Sequence, residues 1–354
     1  MSILSAADFS AIEEMIRKAC LRPMKLFGLG SPKGYAEKVS LRMKVDLTKH
    51  EERIFDDGEF FLKSADGPEG NVRGHNVFVI QSLYSEPGES VSDKFMKLGI
   101  MCGALKQASA HEVIPVIPHL AWARQDRKTE SRAPISTKII ADMLQSTGIA
   151  RVLLMDVHNL SAEQNAFNCP MDNLEAKNLQ ATWCASRLKD SPKIAVMSPD
   201  SGGLARATRF RNSLTKIMRV EQSDIGVVIF DKLRDAKSGS LSGGRVVGDI
   251  DGAEVIIVDD MISTAKTMTL AGKAVPRFGG KLAAICATHG LFCGDANKYV
   301  DQIDAPIVVA DTVEPFRLSP ENRSKVVVID TSEMVADAIL RIHSRTGSIS
   351  ELLR

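Results

Sequence analysis

The chain has 354 residues, of which 44% are hydrophobic and 25% charged, so it can bury a large core, and its length favours two domains. Its 45 basic and 44 acidic residues give a formal charge of +1, which excludes a whole-chain attraction to nucleic acid or membranes. The six cysteines show no CxxC and no zinc-site spacing, which predicts free thiols. No segment approaches the roughly 20 apolar residues of a membrane span. We therefore expect a cytoplasmic protein.

Short apolar runs recur along the chain and predict strands that are covered on both faces. Nine such runs are residues 77–80, 113–117, 152–155, 194–197, 227–230, 255–258, 282–286, 307–309 and 326–329. Helical stretches lie between many of them, which indicates α/β domains with mainly parallel sheets. Ligands of such folds bind beyond the carboxyl ends of the strands, so the residues that follow each run are candidates for a site.

The first half carries a turn and an arginine-rich segment. Residues 54–60 contain Asp-Asp-Gly, which on its own is typical of an ordinary turn. Residues 118–128 contain Arg124, Gln125 and Arg127. A charge run of this kind is either a solvated surface or a site for phosphate groups.

Two strand ends carry groups that could bind a metal or a nucleotide. His158 follows the run 152–155, and a lone histidine there is either a hydrogen-bonded structural residue or a ligand. Asp200 follows the run 194–197, and the Ser-Gly-Gly at residues 201–203 lets backbone amides approach a diphosphate.

The segment that begins at Asp231 is rich in lysine, arginine, serine and glycine up to Gly248, and this composition predicts a mobile loop. It carries Lys232 and Arg234. On composition alone, these cations are typical of a basic solvent loop.

The segment 255–267 is an apolar strand, two adjacent carboxylates, a small hydroxyl-rich turn and a helix. A turn that opens a helix presents free backbone N–H groups to a phosphate. Asp259 and Asp260 could accept hydrogen bonds from a sugar diol, hold a magnesium ion, or merely cap the helix.

This segment resembles the phosphoribosyl-binding fingerprint of type I phosphoribosyltransferases and of ribose-phosphate pyrophosphokinases. The resemblance implies that Asp259 and Asp260 hold the ribose hydroxyls. It assigns the 5-phosphate to the turn that follows, which consists of Ser263, Thr264, Ala265, Lys266 and Thr267.

The resemblance to ribose-phosphate pyrophosphokinases extends almost continuously from residue 24 to residue 350. It implies transfer of the β,γ-diphosphate of ATP to the C1 hydroxyl of ribose 5-phosphate, for nucleotide biosynthesis. It also implies two type I phosphoribosyltransferase-like domains, over residues 1–172 and 173–354. Residues 1–23 are an extension, in which residues 12–20 fit an amphipathic helix, and a last helix over 333–354 is expected to pack back on the first domain.

Matching positions imply further roles. The resemblance assigns ATP binding to Phe55, Asp57, Glu59, Arg124, Gln125, Arg127 and His158. It assigns Mg²⁺ to His158 and Asp200, and catalysis on a closing loop to Lys232 and Arg234. Regulator binding is implied for Arg73, Arg132, Ser348 and Ser350.

The implied partners are ATP, ribose 5-phosphate and copies of the same chain. A homohexamer is expected, in which Phe55, Asp57 and Glu59 reach the active site of a neighbouring subunit. Inorganic phosphate is the implied activator and ADP the implied inhibitor. No nucleic-acid or membrane partner is expected.

The sequence departs from the family where the turn has Ser263 in place of an acid and Ala265 and Lys266 in place of small residues, commonly glycine. Glycine permits a positive φ that alanine and lysine tolerate poorly, so a changed path of the turn is one expectation. Lys266 could supply a charge to the phosphate instead. Two alternatives therefore stay open: a catalytically silent regulatory paralogue and, less favoured by the doubled domain, a phosphoribosyltransferase.

Overall fold

A computed structural model describes residues 22–30, 33–234 and 241–353. The helix expected within residues 12–20 therefore lies outside the described residues. The strands are β1 (Met24–Gly28), β2 (His50–Ile54), β3 (Phe60–Ser64), β4 (Asn76–Ile80), β5 (Glu112–Ile117), β6 (Val152–Met155), β7 (Met171–Leu174), β8 (Ile194–Ser198), β9 (Ile225–Arg234), β10 (Leu241–Val247), β11 (Glu254–Ile262), β12 (Lys281–Gly290), β13 (Ile307–Ala310) and β14 (Val326–Ile329).

The α-helices of the described ranges are α1 (Lys33–Met43), α2 (Val91–Gln107), α3 (Ser136–Gln145), α4 (Leu160–Ala166), α5 (Lys177–Arg187), α6 (Leu204–Met218), α7 (Lys266–Ala274), α8 (Ala296–Val300), α9 (Pro320–Arg323) and α10 (Ser332–Ser344). None of these helices is long and apolar enough to cross a membrane.

The first sheet has five strands in the order β1-β4-β5-β6-β7, and every pair in it is parallel. Strand β4 is buried along its whole length. Its side chains alternate between the two faces: Val77 and Val79 share a core with α2, whereas Phe78 and Ile80 share one with α1 and α10. Burial on both faces explains why this strand has a continuous apolar sequence.

The second sheet has seven strands in the order β10-β9-β8-β11-β12-β13-β14. Only β10 is antiparallel to its neighbour, β9. The prediction of two α/β units with mainly parallel sheets is therefore confirmed, and each of the nine apolar runs lies in a strand. Strand β11 lies between β8 and β12, which places its carboxyl end in the middle of the sheet edge.

Strands β2 and β3 form a separate antiparallel hairpin. The five residues between them, 55–59, close the turn with a hydrogen bond from Phe55 N to Glu59 O at 2.9 Å. Asp57 Oδ1 accepts from Glu59 N at 3.1 Å, and Gly58 has a φ of +91°, so the Asp-Asp-Gly sequence makes the tight turn that its composition predicts.

Two predicted boundaries need correction. The first sheet includes β7, so it continues just past residue 172. The C-terminal segment is not one helix over 333–354, because Arg345 takes a left-handed φ of 55° and ends α10, and a short 3-10 helix follows at Ile349–Leu353. Helix α10 packs on α1 of the first domain. Just before α10, Thr331 Oγ1 lies 2.9 Å from Tyr35 Oη.

The carboxyl ends of β6 and β12 meet where the two domains touch. Asp156 Oδ2 accepts hydrogen bonds from Thr288 Oγ1 at 2.6 Å and from Ala176 N at 2.8 Å. His289 Nε2 donates to the Met155 carbonyl at 3.2 Å. Both sheets therefore present their ligand-binding edges to the same cleft.

Candidate active site

The site is built around the acid pair of β11. The strand pairs with β8 only as far as Ile257 but continues along β12 to Ile262. The sequence pattern predicts that Asp259 and Asp260 follow the strand. In the structure they lie within it. Because β8 no longer pairs there, the acids face the helix that follows β8, and Asp260 is only 2% exposed.

An arginine and a histidine contact this acid pair. Arg206 Nη1 is 2.9 Å from Asp259 Oδ1 and 3.3 Å from Asp260 Oδ1. His158 Nδ1 is 2.7 Å from Asp260 Oδ2. Asp260 N also donates to Asp259 Oδ1 at 2.9 Å. His158 belongs to the first domain and Arg206 to the second, so the acids are bound from both sides of the cleft.

The charges of these four groups depend on one another. Burial and the neighbouring Asp260 carboxylate raise the pKa of Asp259 to about 8. Burial acts in the same direction on Asp260, but the hydrogen bond with His158 and the charge of Arg206 hold the pKa of Asp260 below its usual range. The hydrogen bond to Asp260 raises the pKa of His158. The arrangement therefore favours an ionised Asp260 beside Arg206.

The turn after the acids reaches a helix N-terminus without glycine. Ala265 takes the left-handed conformation, with φ 62° and ψ −6°, and α7 begins at the next residue. Cys293 N donates to Ser263 O at 2.8 Å and fixes the turn to the loop after β12. Ala265 thus adopts the backbone region that glycine would favour. Its buried methyl group packs in the core of the second domain, which offsets part of the strain.

An open cavity of about 1120 Å³ joins this turn to the first domain. Ten of the predicted site residues line it, and these are Arg124, Arg127, His158, Asp200, Asp259, Asp260, Ser263, Thr264, Ala265 and Thr267. Asp231, Asn159 and the glycines after Asp200 line it too. The cavity brings together both halves of the predicted site.

Two predicted residues of these segments do not line the cavity. Gln125 Oε1 accepts a hydrogen bond from Ser136 Oγ at the start of α3. Lys266 is the first residue of α7 and is not among the lining residues, so the structure gives no contact to support a charge from Lys266 on the phosphate.

The hairpin residues Phe55, Asp57 and Glu59 do not line the cavity of their own chain, and Phe55 is 48% exposed. The residues assigned to regulators also lie outside the cavity. Arg73 and Arg132 are exposed, as are Ser348 and Ser350, whose hydroxyls are 2.7 Å apart.

Lys232 and Arg234 belong to β9, which pairs with β10 through Lys232 and Gly244. The predicted mobile loop over residues 231–248 is therefore replaced by an antiparallel ladder in its described part. Residues 235–240, and the side chains of Lys232 and Arg234, lie outside the described part of the chain. Asp231, which precedes them, lines the cavity.

The available donors fit a magnesium ion that arrives with a nucleotide. Within the described residues, no three His, Cys, Asp or Glu side chains form a metal cluster. Mg²⁺ in phosphate-transfer sites usually takes one or two protein ligands and completes its shell with phosphate oxygens and water. His158 and Asp200 both line the cavity. A ring nitrogen of His158 bonded to a carboxylate is also the usual arrangement of a metal-bound histidine.

The sequence interpretation missed Arg206. It lies in the first turn of α6, where the helix dipole disfavours a cation, so an arginine at this position is itself a signal of a local anionic partner. Asp156 was also missed: it has a φ of 42° and bridges the two domains. Thr288 and His289 gave no sequence signal of their own.

Comparisons with known proteins cover nearly the whole described chain. Residues 24–148 match the N-terminal domain of ribose phosphate pyrophosphokinase, and residues 224–354 match the phosphoribosyl synthetase-associated domain. Ribose-phosphate pyrophosphokinase 1 of Streptococcus pyogenes is 34% identical over 326 residues, which are 91% of this chain and 95% of that protein. The chain belongs to the ribose-phosphate pyrophosphokinase family.

Two further comparisons agree. The protein of the same name from Lactococcus lactis is 35% identical over 91% of this chain and 94% of its own length. The crystal structure of phosphoribosylpyrophosphate synthetase from Mycobacterium smegmatis superposes with a TM-score of 0.80 at 28% identity, over 92% of this chain and 100% of that one. Membership in this family of enzymes confirms the resemblance inferred from the motifs, and the two alternatives are not needed.

Proposed function

We propose that this enzyme transfers the β,γ-diphosphate of ATP to the C1 hydroxyl of ribose 5-phosphate and releases AMP. The product is 5-phosphoribosyl 1-diphosphate, a precursor for nucleotide biosynthesis. The observation that carries the proposal is the position of the buried acid pair. The chain that follows the two acids makes a left-handed turn into the N-terminus of α7, and the acids line the same cavity as the arginine-rich segment.

Ribose 5-phosphate would bind along residues 259–267. Asp259 and Asp260 accept hydrogen bonds from the vicinal hydroxyls, because carboxylate oxygens are the acceptors that a diol requires. The 5-phosphate lies at the turn, where Ser263, Thr264 and Thr267 supply hydroxyl donors and α7 presents its N-terminal N–H groups.

ATP would bind on the other side of the cavity. Arg124 and Arg127 meet its phosphates, and Gln125 assists after leaving its contact with Ser136. The exposed Phe55 and the acids at the tip of the hairpin belong to the nucleotide site of a neighbouring subunit, since they are absent from the cavity of their own chain. The proposal therefore includes a homo-oligomer, for which we expect a hexamer.

His158 and Asp200 would hold the magnesium ion. When bound, the ion spreads the negative charge of the phosphates. Lys232 and Arg234, which belong to β9, would stabilise the charge that develops as the bond between the α- and β-phosphates breaks. The C1 oxygen attacks the β-phosphorus in line, its proton goes to solvent or a phosphate oxygen, and AMP leaves.

Regulation by phosphate and ADP belongs to the proposal as well, through Arg73, Arg132, Ser348 and Ser350. We also propose a reducing compartment, the cytoplasm. The cysteines within the described residues support this, since Cys102, Cys169, Cys184, Cys286 and Cys293 are all free.

A coupled assay of AMP formation from ATP, ribose 5-phosphate and Mg²⁺, with phosphate present, tests the reaction. We expect turnover in the wild-type chain, and we expect Asp259→Asn to raise the KM for ribose 5-phosphate by about tenfold or more with a much smaller effect on the KM for ATP. Asp249→Asn, which changes an exposed carboxylate paired with Lys193, is the matched control. Absence of AMP formation by the wild-type chain would refute the proposal.

A further inference from the structure

Arg206 connects the two halves of the site. Its Nη1 contacts Asp259 Oδ1 at 2.9 Å and Asp260 Oδ1 at 3.3 Å, and its Nη2 donates to the backbone carbonyl of His158 at 3.3 Å. His158 in turn bonds the other carboxylate oxygen of Asp260. One guanidinium thus ties the acid pair of the second domain to a nucleotide-side residue of the first.

The fold places this arginine where a cation is costly. The side chain of Arg206 is only 18% exposed, and the N-terminal turn of α6 adds an unfavourable dipole. A charge in such a place is stable only when it is paired and hydrogen-bonded. Asp259, Asp260 and the His158 carbonyl supply those partners, so the arginine and the acid pair stabilise each other.

We propose that Arg206 is a positioning residue: it holds Asp259 and Asp260 as acceptors for a neutral diol and keeps divalent cations off the acid pair. The inference rests on the proposed ribose 5-phosphate site. Two adjacent carboxylates without a cation beside them attract a metal ion. With the guanidinium between them, their remaining lone pairs accept hydrogen bonds while a second positive charge is repelled.

This inference decides between the two uses of the acid pair that the sequence allows. A metal ion at Asp259 and Asp260 would displace the arginine from both carboxylates and leave a buried guanidinium without its anionic partners. A ribose diol leaves those bonds intact. The acid pair is thereby specific for the sugar, and Mg²⁺ is left to Asp200 and His158.

The first test measures binding of ribose 5-phosphate by isothermal titration calorimetry without ATP, so that no turnover occurs. We expect Arg206→Gln to weaken the binding of ribose 5-phosphate by about tenfold or more. Arg206→Lys keeps the positive charge but loses the planar guanidinium that can contact several acceptors at once, so we expect it to weaken binding by less. Arg211→Gln is the matched control on the same helix, since Arg211 donates to the Gln222 carbonyl and to Asn212 Oδ1, both at 2.8 Å, and does not line the cavity within the described residues. We expect this control to bind like the wild type.

The second test counts bound Mn²⁺ by electron paramagnetic resonance, without nucleotide or sugar. Arg206→Gln should bind one more Mn²⁺ than the wild type, and the added substitution Asp259→Asn should remove it.

Unchanged sugar affinity in Arg206→Gln, or no extra Mn²⁺, overturns the inference. If the wild type binds no ribose 5-phosphate, the proposed substrate fails while the Mn²⁺ count still tests the role of Arg206. If Arg206→Gln does not fold, Arg206→Lys decides, and wild-type sugar affinity in that variant overturns the inference.

Discussion

Glu163 on α4 is an ionisable residue in a fully buried position. It is 0% exposed, so its carboxyl group is removed from water. Burial raises the pKa of Glu163 to about 7. The unfolded chain ionises this group near its ordinary pKa of about 4.5, so stability is full below that value and falls as the pH rises to about 7.

Glu163→Gln should therefore stabilise the protein at pH 8 by about 2–3 kcal/mol and change its stability little at pH 4.5, because the amide never has to give up a proton. Urea denaturation followed by circular dichroism at the two pH values measures the difference. Asp142→Asn, at an exposed acid on the neighbouring helix α3, controls for general charge effects. Equal effects of Glu163→Gln at both pH values would show that the buried carboxyl is not the cause.

At the scale of elements, the sequence predicts what local patterning controls. Continuous apolar runs predicted the bounds of β6 and β14 to the residue. Strand β6 is buried along its whole length, and a strand covered on both faces needs no polar positions. Strand β14 lies at the edge of its sheet and is only partly buried, so its apolar sequence reflects its pairing with β13 as well as burial. Strand β2 was not predicted from the sequence. Its sequence, His-Glu-Glu-Arg-Ile, has no apolar run, and the strand forms because it pairs with β3 in an exposed hairpin. The partnership of Arg206 with Asp259 could not be predicted, because it joins residues 53 positions apart in the sequence.

Lys232 lies in the β9–β10 ladder, and its proposed role in catalysis can be tested by substitution. Lys232→Ala should lower turnover by about 100-fold or more while the KM values for ATP and ribose 5-phosphate change far less, because a cation that acts on developing charge contributes mainly in the transition state. Lys281→Ala, at an exposed lysine of β12, is the matched control. Steady-state kinetics measure both, and unchanged turnover of Lys232→Ala would remove this strand end from the mechanism.

At the scale of the whole molecule, the two domains meet through buried histidines as well as through the site. His119, in the arginine-rich segment of the first domain, has its ring centroid 4.6 Å from that of His289 in the second. Burial and the neighbouring His289 hold the pKa of His119 well below its ordinary value, and burial lowers the pKa of His289 too. Both rings are therefore neutral in the folded protein at physiological pH.

The folded state should lose stability as the pH falls below about 6.5. At such pH values both histidines are protonated in the unfolded chain, whereas the buried rings of the folded protein stay neutral. Each such histidine contributes a slope of up to about 1.4 kcal/mol per pH unit. His119→Phe keeps an aromatic ring on His289 and removes a nitrogen that has no partner within the described residues. Thermal midpoints between pH 7.5 and 5.5 should decline less steeply in this variant, and an identical decline would contradict the assignment.

The phosphorus atom that is attacked distinguishes diphosphate transfer from transfer of a single phosphoryl group, and ³¹P nuclear magnetic resonance of the reaction mixture identifies that atom most directly. With ATP, ribose 5-phosphate and Mg²⁺, the account predicts that AMP and a sugar-linked diphosphate appear together in equal amounts, and that neither appears when ribose 5-phosphate is omitted. Formation of ADP with a sugar monophosphate ester at C1 would mean attack at the γ-phosphorus. That result would contradict diphosphate transfer.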